Sequence, residues 1–245
     1  MSKNDMNFAI CISGGGTTMK AVLDARKDNR LPHANPVLII SSDREAGGIE
    51  KAKQAGLCEK NIAVLVRKEF ETREAYGDAI LGECKTRGAD FIIQCGFIPT
   101  MPANVVAEYQ FALANQHPGP IDQERLGFGG KGMRGLAVHA AVIYFHRHCR
   151  RPFRTEASVH RVANKVDGGE ILGVTPVRIS PRDNAKSLAK RVLPYEHALV
   201  IRTILEFSEF GGMQGIRRAT PLILPGEEAL LEEAKMAGIA AYPNG

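Results

Sequence analysis

Short, continuous apolar runs alternate with segments of helical period along the first half of the chain. Residues 8–13 (FAICIS), 36–40 (PVLII), 62–66 (IAVLV), 90–95 (DFIIQC) and 111–116 (FALANQ) read as strands. Helical patterns fall between them, from Thr17 to about Asp28, around 46–55, from about Glu69 to Arg87, and near 103–109. The runs are apolar throughout and do not alternate with polar residues, which suits strands buried on both faces. Repeated βα units of this kind predict an α/β fold built on a doubly wound, mostly parallel sheet.

Beyond position 117 the pattern loosens. A glycine-rich stretch, GFGGKGMRG (127–135), is followed by a helical AVHAAVIYFHRH and a basic run, RHCRRPFR (147–154), so extended loops are expected over about 118–134 and 146–155. ASVHRVANKVDGGEILGVTPV (157–177) reads as two strands joined near Asp167-Gly168-Gly169, a hairpin signal. A helix from about Asn184 to Phe207 and a tail over 208–245, with one short helix at 227–238, complete a chain read as a single domain over 1–245 without internal repeats.

Composition narrows the class only modestly. No apolar run approaches the roughly 20 residues of a membrane span, and MSKNDMNFAICIS lacks a secretory core and cleavage site, so a cytoplasmic protein is expected. Five scattered cysteines without a C-x-x-C pair imply reduced thiols. With 32 Lys and Arg against 27 Asp and Glu, the net charge of +5 leans mildly toward anionic small molecules or nucleic acid.

Candidate chemistry gathers at three places. Asn115 and His117 stand two positions apart, and the period of a strand turns both to one side; they either address one atom together or satisfy nearby loop backbone. SGGGTTM (13–19) follows the first strand and opens the first helix, where free amides and the helix dipole favour an anion, or else it is a tight turn. Met19 breaks the dinucleotide fingerprint and no lysine follows the glycines, so neither a G-x-G-x-x-G site nor a P-loop is present. Asp167 either serves its own turn or brings a carboxylate over the carboxyl edge of the sheet, where open parallel sheets bind ligands. An amide, an imidazole, a carboxylate and a phosphate loop suit acyl transfer to an amine, which needs oxyanion donors and a route for a proton. With no serine or cysteine nucleophile beside the histidine, direct attack by the acceptor is the simplest scheme. His146, His148 and Cys149 sit among arginines without a matching ligand pair, and no metal is expected.

ISGGGTTMKAVLDA, EFETREAY, GFIPTMP, NQHP, SVHRVANKVDGGEIL and SLAKRVLPYEH follow one another in an order that resembles the folate-dependent formyltransferases, from about residue 7 to 207, and most of all the branch serving purine synthesis. The resemblance implies formyl transfer from 10-formyltetrahydrofolate to the amine of glycinamide ribonucleotide, without a metal. It implies that Asn115, His117 and Asp167 are catalytic, with Asp167 keeping His117 cationic. It also implies that Gly16, Thr17, Thr18 and Glu196 bind the phosphorylated acceptor, and that Arg73, Phe97, Ile98, Pro99, Met101 and Val166 bind the folate. A homodimer is compatible with it; a membrane partner is not expected and nucleic acid is disfavoured.

The chain departs from the family pattern after His117-Pro118, where Gly119-Pro120-Ile121-Asp122 and a longer stretch precede Gly135-Leu136. It departs again in the Arg- and His-rich extension before Ser158, and at Pro99 and Thr18, where an arginine and an asparagine are usual. Other readings are a formyltransferase for another amine such as an amino sugar nucleotide, a hydrolase of the formyl-folate, and a nucleotide- or RNA-binding protein using RHCRRPFR as its phosphate patch. Related transfer-RNA formylating enzymes and hydrolases are expected to carry additional domains, for which these 245 residues leave no room.

Overall fold

The computed structural model describes residues 5–245; the first four residues of the N-terminal stretch read above lie outside it. The strands are β1 (Met6–Ile12), β2 (Ala34–Ser41), β3 (Ile62–Val64), β4 (Phe91–Gln94), β5 (Leu113–His117), β6 (Thr155–Arg161) and β7 (Ile171–Val177). The helices are α1 (Thr17–Lys27), α2 (Gly47–Gln54), α3 (Arg73–Thr86), α4 (Ala103–Glu108), α5 (Leu136–His148), α6 (Ala185–Phe210) and α7 (Glu228–Ala241). The sheet runs β3-β2-β1-β4-β5-β6-β7. Its first five strands pair in parallel, and β6 with β7 antiparallel, as the repeated βα pattern predicts. Chain order reverses beside β1, which makes the carboxyl ends of β1 and β4 the switch point of the sheet.

The chain divides into two compact units. One comprises the chain through Asn115 together with Arg161–Asn164 and Val200–Met213. Its strands are apolar on both faces because helices cover both: Phe8, Ala9, Ile10, Cys11 and Ile12 of β1 are fully buried, as are Leu38, Ile39 and Ile40 of β2. Near the end of α6, Phe207 stacks on Phe91 of β4 with ring centroids 4.4 Å apart.

The other unit comprises Gln116–His160, Lys165–Leu199 and Gln214–Gly245. Here α7 packs along α5, and the tail ties down the irregular stretch after β5. Arg218 donates to the Ile121 carbonyl at 3.0 Å and pairs with the buried Glu156, while the Leu222 amide donates to Asp122 Oδ2 at 2.9 Å. Arg151 forks onto both oxygens of Glu227 at 2.7 Å. Phe128, Phe145 and Phe153 meet edge-on or tilted, with centroids 4.9–5.7 Å apart, and anchor the same stretch from below.

Several expected boundaries move. The third helix begins at Arg73, not near Glu69, because Thr72 takes the N-cap and its hydroxyl accepts from the Ala75 amide at 3.0 Å. The expected loop over 146–155 shrinks, since α5 continues through His148 and β6 starts at Thr155. The strands flanking Asp167 are joined by a nine-residue loop instead of a tight hairpin turn, because β6 ends at Arg161 and β7 starts at Ile171.

The Phe91–Phe207 stack supplies a test of the first unit. Replacing Phe207, which is buried, by alanine leaves a cavity against β4 and should cost about 3–5 kcal/mol in urea unfolding. A loss below about 1 kcal/mol would show that the end of α6 does not brace the sheet.

Candidate active site

Each unit holds a group of polar residues in a setting built for chemistry. In the first unit, Gly16 caps α1 with φ 63°, a left-handed conformation glycine adopts freely, and a Cβ there would lie 2.6 Å from the Gly48 Cα. Its identity is therefore required by the backbone before any ligand is considered. Gly14 faces open space, a Cβ on Gly15 would lie 4.0 Å from the Lys51 Nζ, Thr17 is exposed at the first position of α1, and Thr18 is buried. Lys51 of α2 reaches this loop, its Nζ donating to the Gly15 carbonyl at 2.6 Å. This ammonium comes to the loop from 36 positions away in sequence.

The loop after β4 abuts the glycine loop, for the Ser13 amide donates to the Gly96 carbonyl at 3.1 Å and the Ile98 amide to Ser13 Oγ at 2.8 Å. Of the residues expected to bind folate, Ile98 is 56% exposed, whereas Phe97 and Met101 are turned into the hydrophobic core of this unit. Pro99 is half-buried and Arg73 is exposed on the first turn of α3. Asn115 is half-buried near the end of β5.

In the second unit His117 and Asp167 come together, both largely withdrawn from water, with Nδ1 of the imidazole 3.8 Å from Oδ2 of the carboxylate. Asp167 takes a left-handed φ of 52°, which aspartate tolerates better than most residues. Its Oδ2 accepts from the Gly130 amide at 2.8 Å, and its Oδ1 lies 3.4 Å from Nε2 of the buried His160. Glycine is required at 129, where a Cβ would fall 2.6 Å from the Asp167 Cβ. On the far side of the His117 ring, Nε2 meets the Phe128 carbonyl at 3.0 Å. A carbonyl only accepts, so Nε2 carries a proton and Nδ1 is the nitrogen turned toward Asp167.

Burial raises the cost of charging Asp167. The His117 and His160 imidazoles and the Gly130 amide more than offset it, and the carboxyl is held well below the usual carboxylate range. For His117 burial wins over the carboxylate, and its pKa falls below the usual histidine value. Burial and the Asp167 carboxylate thus pull His117 in opposite directions, and burial prevails. His139 on α5 is pushed down to about 4, by burial and then by His117, and stays neutral.

Glu196, on α6, is buried and accepts from the Gln116 amide; burial against that hydrogen bond lifts its carboxyl to about 8, so it is protonated at neutral pH. Val166 is exposed beside Asp167. Much of the basic stretch is committed internally, Arg147 to the Asp183 carbonyl and Arg151 to Glu227, which weakens the phosphate-patch reading. Among the described residues no group of three or more His, Cys, Asp or Glu is arranged to hold a metal ion, and no helix is long and apolar enough to cross a membrane. His160, Gln116, Lys51 and the Phe128 carbonyl carry no sequence signal of their own; His160 and Gln116 are polar residues at strand positions within SVHRVANKVDGGEIL and NQHP.

The doubly wound, mostly parallel sheet is the fold of the formyl-transferring enzymes that this chain resembles. The formyl transferase family model matches residues 6–204, and the chain belongs to that family. It is 28% identical over 200 residues to the chloroplastic phosphoribosylglycinamide formyltransferase of Arabidopsis thaliana, covering 80% of this chain and 63% of that protein. It is 27% identical over 206 residues to phosphoribosylglycinamide formyltransferase of Escherichia coli K12, covering 83% of this chain and 88% of that one. The crystal structure of phosphoribosylglycinamide formyltransferase from Brucella melitensis superposes with a TM-score of 0.69 at 29% identity over 86% of this chain and 99% of that one. Glycinamide ribonucleotide transformylase 1 from Symbiobacterium toebii shares the fold with a TM-score of 0.72 at 22% identity, over 84% and 89% of the two chains.

Protonated Glu196 has a measurable consequence. A carboxyl whose pKa is raised on folding binds protons more tightly in the native state, so the protein loses stability as pH rises from about 4.5 to about 8. Glu196→Gln keeps an acceptor for Gln116 and should flatten that slope, gaining on the order of a few kcal/mol over the parent at pH 8 and little at pH 4.5. Parallel stability curves for the two proteins would show that Glu196 is ionised in the fold.

Proposed function

We propose that the chain transfers the formyl group of 10-formyltetrahydrofolate to the primary amine of glycinamide ribonucleotide, as a cytoplasmic enzyme acting on small molecules. The observation that carries this reading is the buried His117–Asp167 pair, in which an ionised carboxylate faces a neutral imidazole nitrogen. An amine with a pKa near that of an α-amino group, about 7.7–8.0, is partly neutral at pH 7 and attacks the formyl carbon without a protein nucleophile. The tetrahedral intermediate carries an oxyanion and a protonated amine nitrogen. Asn115, on the same strand as His117 and two positions before it, donates its amide N–H to the oxyanion.

His117 works through Nδ1, since Nε2–H is engaged by the Phe128 carbonyl. Nδ1 takes the proton shed by the amine, the resulting cation is stabilised by Asp167 and donates toward the oxyanion, and the proton passes to N10 of the folate as the C–N10 bond breaks. One proton leaves the amine and one reaches N10, so the balance closes without a cofactor or metal. The acceptor's phosphate is assigned to the free amides at Gly14–Thr18 and the Lys51 ammonium, and its ribose to Glu196. The folate is assigned to Arg73, the loop carrying Phe97, Ile98, Pro99 and Met101, and the backbone around Val166.

Purified protein should consume 10-formyltetrahydrofolate only when glycinamide ribonucleotide is supplied, with formylated product seen by mass; rapid consumption without any amine would favour a hydrolase, and consumption only with an amino sugar nucleotide another acceptor. Asn115→Ala and His117→Ala should each lower kcat roughly a hundredfold to a thousandfold with folate affinity retained. Lys51→Met should raise KM for the phosphorylated acceptor several-fold while leaving KM for the folate unchanged. Equal changes in both would remove Lys51 from the phosphate site.

A further inference from the structure

The stretch between β5 and α5 does more than fill space, because it touches both members of the His117–Asp167 pair with backbone groups. From the geometry we infer that Phe128 is a positioning residue: its carbonyl fixes His117 as the Nε2–H tautomer and leaves Nδ1 as the working nitrogen, and its ring holds that carbonyl in place. The inference deepens the proposed function and rests on it for its catalytic meaning.

Three independent restraints hold the carbonyl. The Phe128 ring is fully buried between Phe145 of α5 and Phe153, with centroids 5.5 and 5.7 Å away, so rotation of the peptide would pull an aromatic ring out of the core. The Phe128 amide, in the preceding peptide, donates to the Pro120 carbonyl at 2.8 Å, which holds the residue from its N-terminal side. Two residues on, the Gly130 amide donates to Asp167 at 2.8 Å, so one tripeptide sets the imidazole and the carboxylate at once. Which nitrogen of a histidine carries its proton is decided by the hydrogen bond the other makes. A carbonyl at Nε2 accepts a proton and never supplies one, so it stabilises the neutral Nε2–H ring and also the cation that forms when Nδ1 takes a proton. This is the part an orienting acceptor plays beside a catalytic imidazole, here supplied by backbone and secured by an aromatic cluster instead of a second carboxylate. Nδ1 is thereby the nitrogen left for proton transfer on the Asp167 side.

The test reads the tautomer first and activity second. Two-bond ¹H–¹⁵N correlation spectra of the free, ¹⁵N-histidine-labelled protein, with His117 assigned by its loss in His117→Ala, should show the Nε2–H form. Phe128→Ala should shift His117 toward a mixture of tautomers, and Phe145→Leu, which loosens the same cluster without touching position 128, should do so to a smaller degree. In the formyl-transfer assay Phe128→Ala should lower kcat about ten- to a hundredfold with KM nearly unchanged, and should add nothing in a His117→Ala background. Where Phe128→Ala does not fold, Phe128→Leu takes its place with a smaller change of the same sign. An Nδ1–H tautomer in the parent protein overturns the inference, as does a tautomer unmoved in a folded position-128 variant, or a full multiplicative loss in the His117→Ala background. Failure of the parent to formylate glycinamide ribonucleotide overturns the functional reading instead, and the spectra then still decide whether Phe128 sets the tautomer.

Discussion

A carboxylate taken out of water without partners would cost far more than a fold of this size can spare, and the second unit is arranged around meeting that cost at Asp167. Its Oδ2 receives the Gly130 amide, its Oδ1 faces His160, and His117 lies within reach of its charge. Each partner imposes a structural demand. The Gly130 amide brings a glycine at 129 against the Asp167 Cβ, and the nine-residue loop between β6 and β7 passes through a left-handed residue to aim the carboxylate inward. The extended stretch after β5 must then be ordered, and it is ordered by Arg218 and Leu222 of the tail and by three phenylalanines. The tail beyond the family match thus holds the backbone that meets the His117–Asp167 pair.

That arrangement also divides labour between two ionisable groups of opposite tendency. The same burial lowers the pKa of His117 and is overcome at Asp167, which displaces the two groups in the directions that favour a neutral imidazole and an ionised carboxylate. A neutral base next to a fixed negative charge accepts a proton readily, because the charge it then carries is already compensated. An imidazole that was cationic at rest could not take the proton an attacking amine must lose.

The parallel half of the sheet was legible in sequence because strands covered on both faces leave uninterrupted apolar runs. His160 was not legible for a related reason. In ASVHRV it shares its parity with Ser158, and both faces of β6 are covered, with Glu156, Ser158 and His160 as well as Ala157 and Val159 buried, so alternation does not mark out a side turned to water. Lys51 sits 36 residues from the carbonyl it meets, a distance no local pattern spans. Phe128 gave only a hydrophobic residue in a glycine-rich segment, since the group that matters is its carbonyl, and no side-chain pattern records where a carbonyl points. The loop after β4, expected to bind folate, was half legible. Its position next to the glycine loop follows from the switch point of the sheet, yet Phe97 and Met101 proved to be core side chains, as apolar residues in a short loop over a sheet edge often are.

The central claim is that His117 and Asp167 act as one unit, the carboxylate serving through the imidazole. A double-mutant cycle of His117→Ala and Asp167→Asn, read as kcat for formyl transfer to glycinamide ribonucleotide, tests it most directly. Each single change should lower kcat by orders of magnitude, and the double variant should lose little beyond the worse single one, because a carboxylate that acts through a ring has nothing to act on once the ring is gone. If the two losses multiply, or if His117→Ala retains near-parental kcat, the pair is not the catalytic centre.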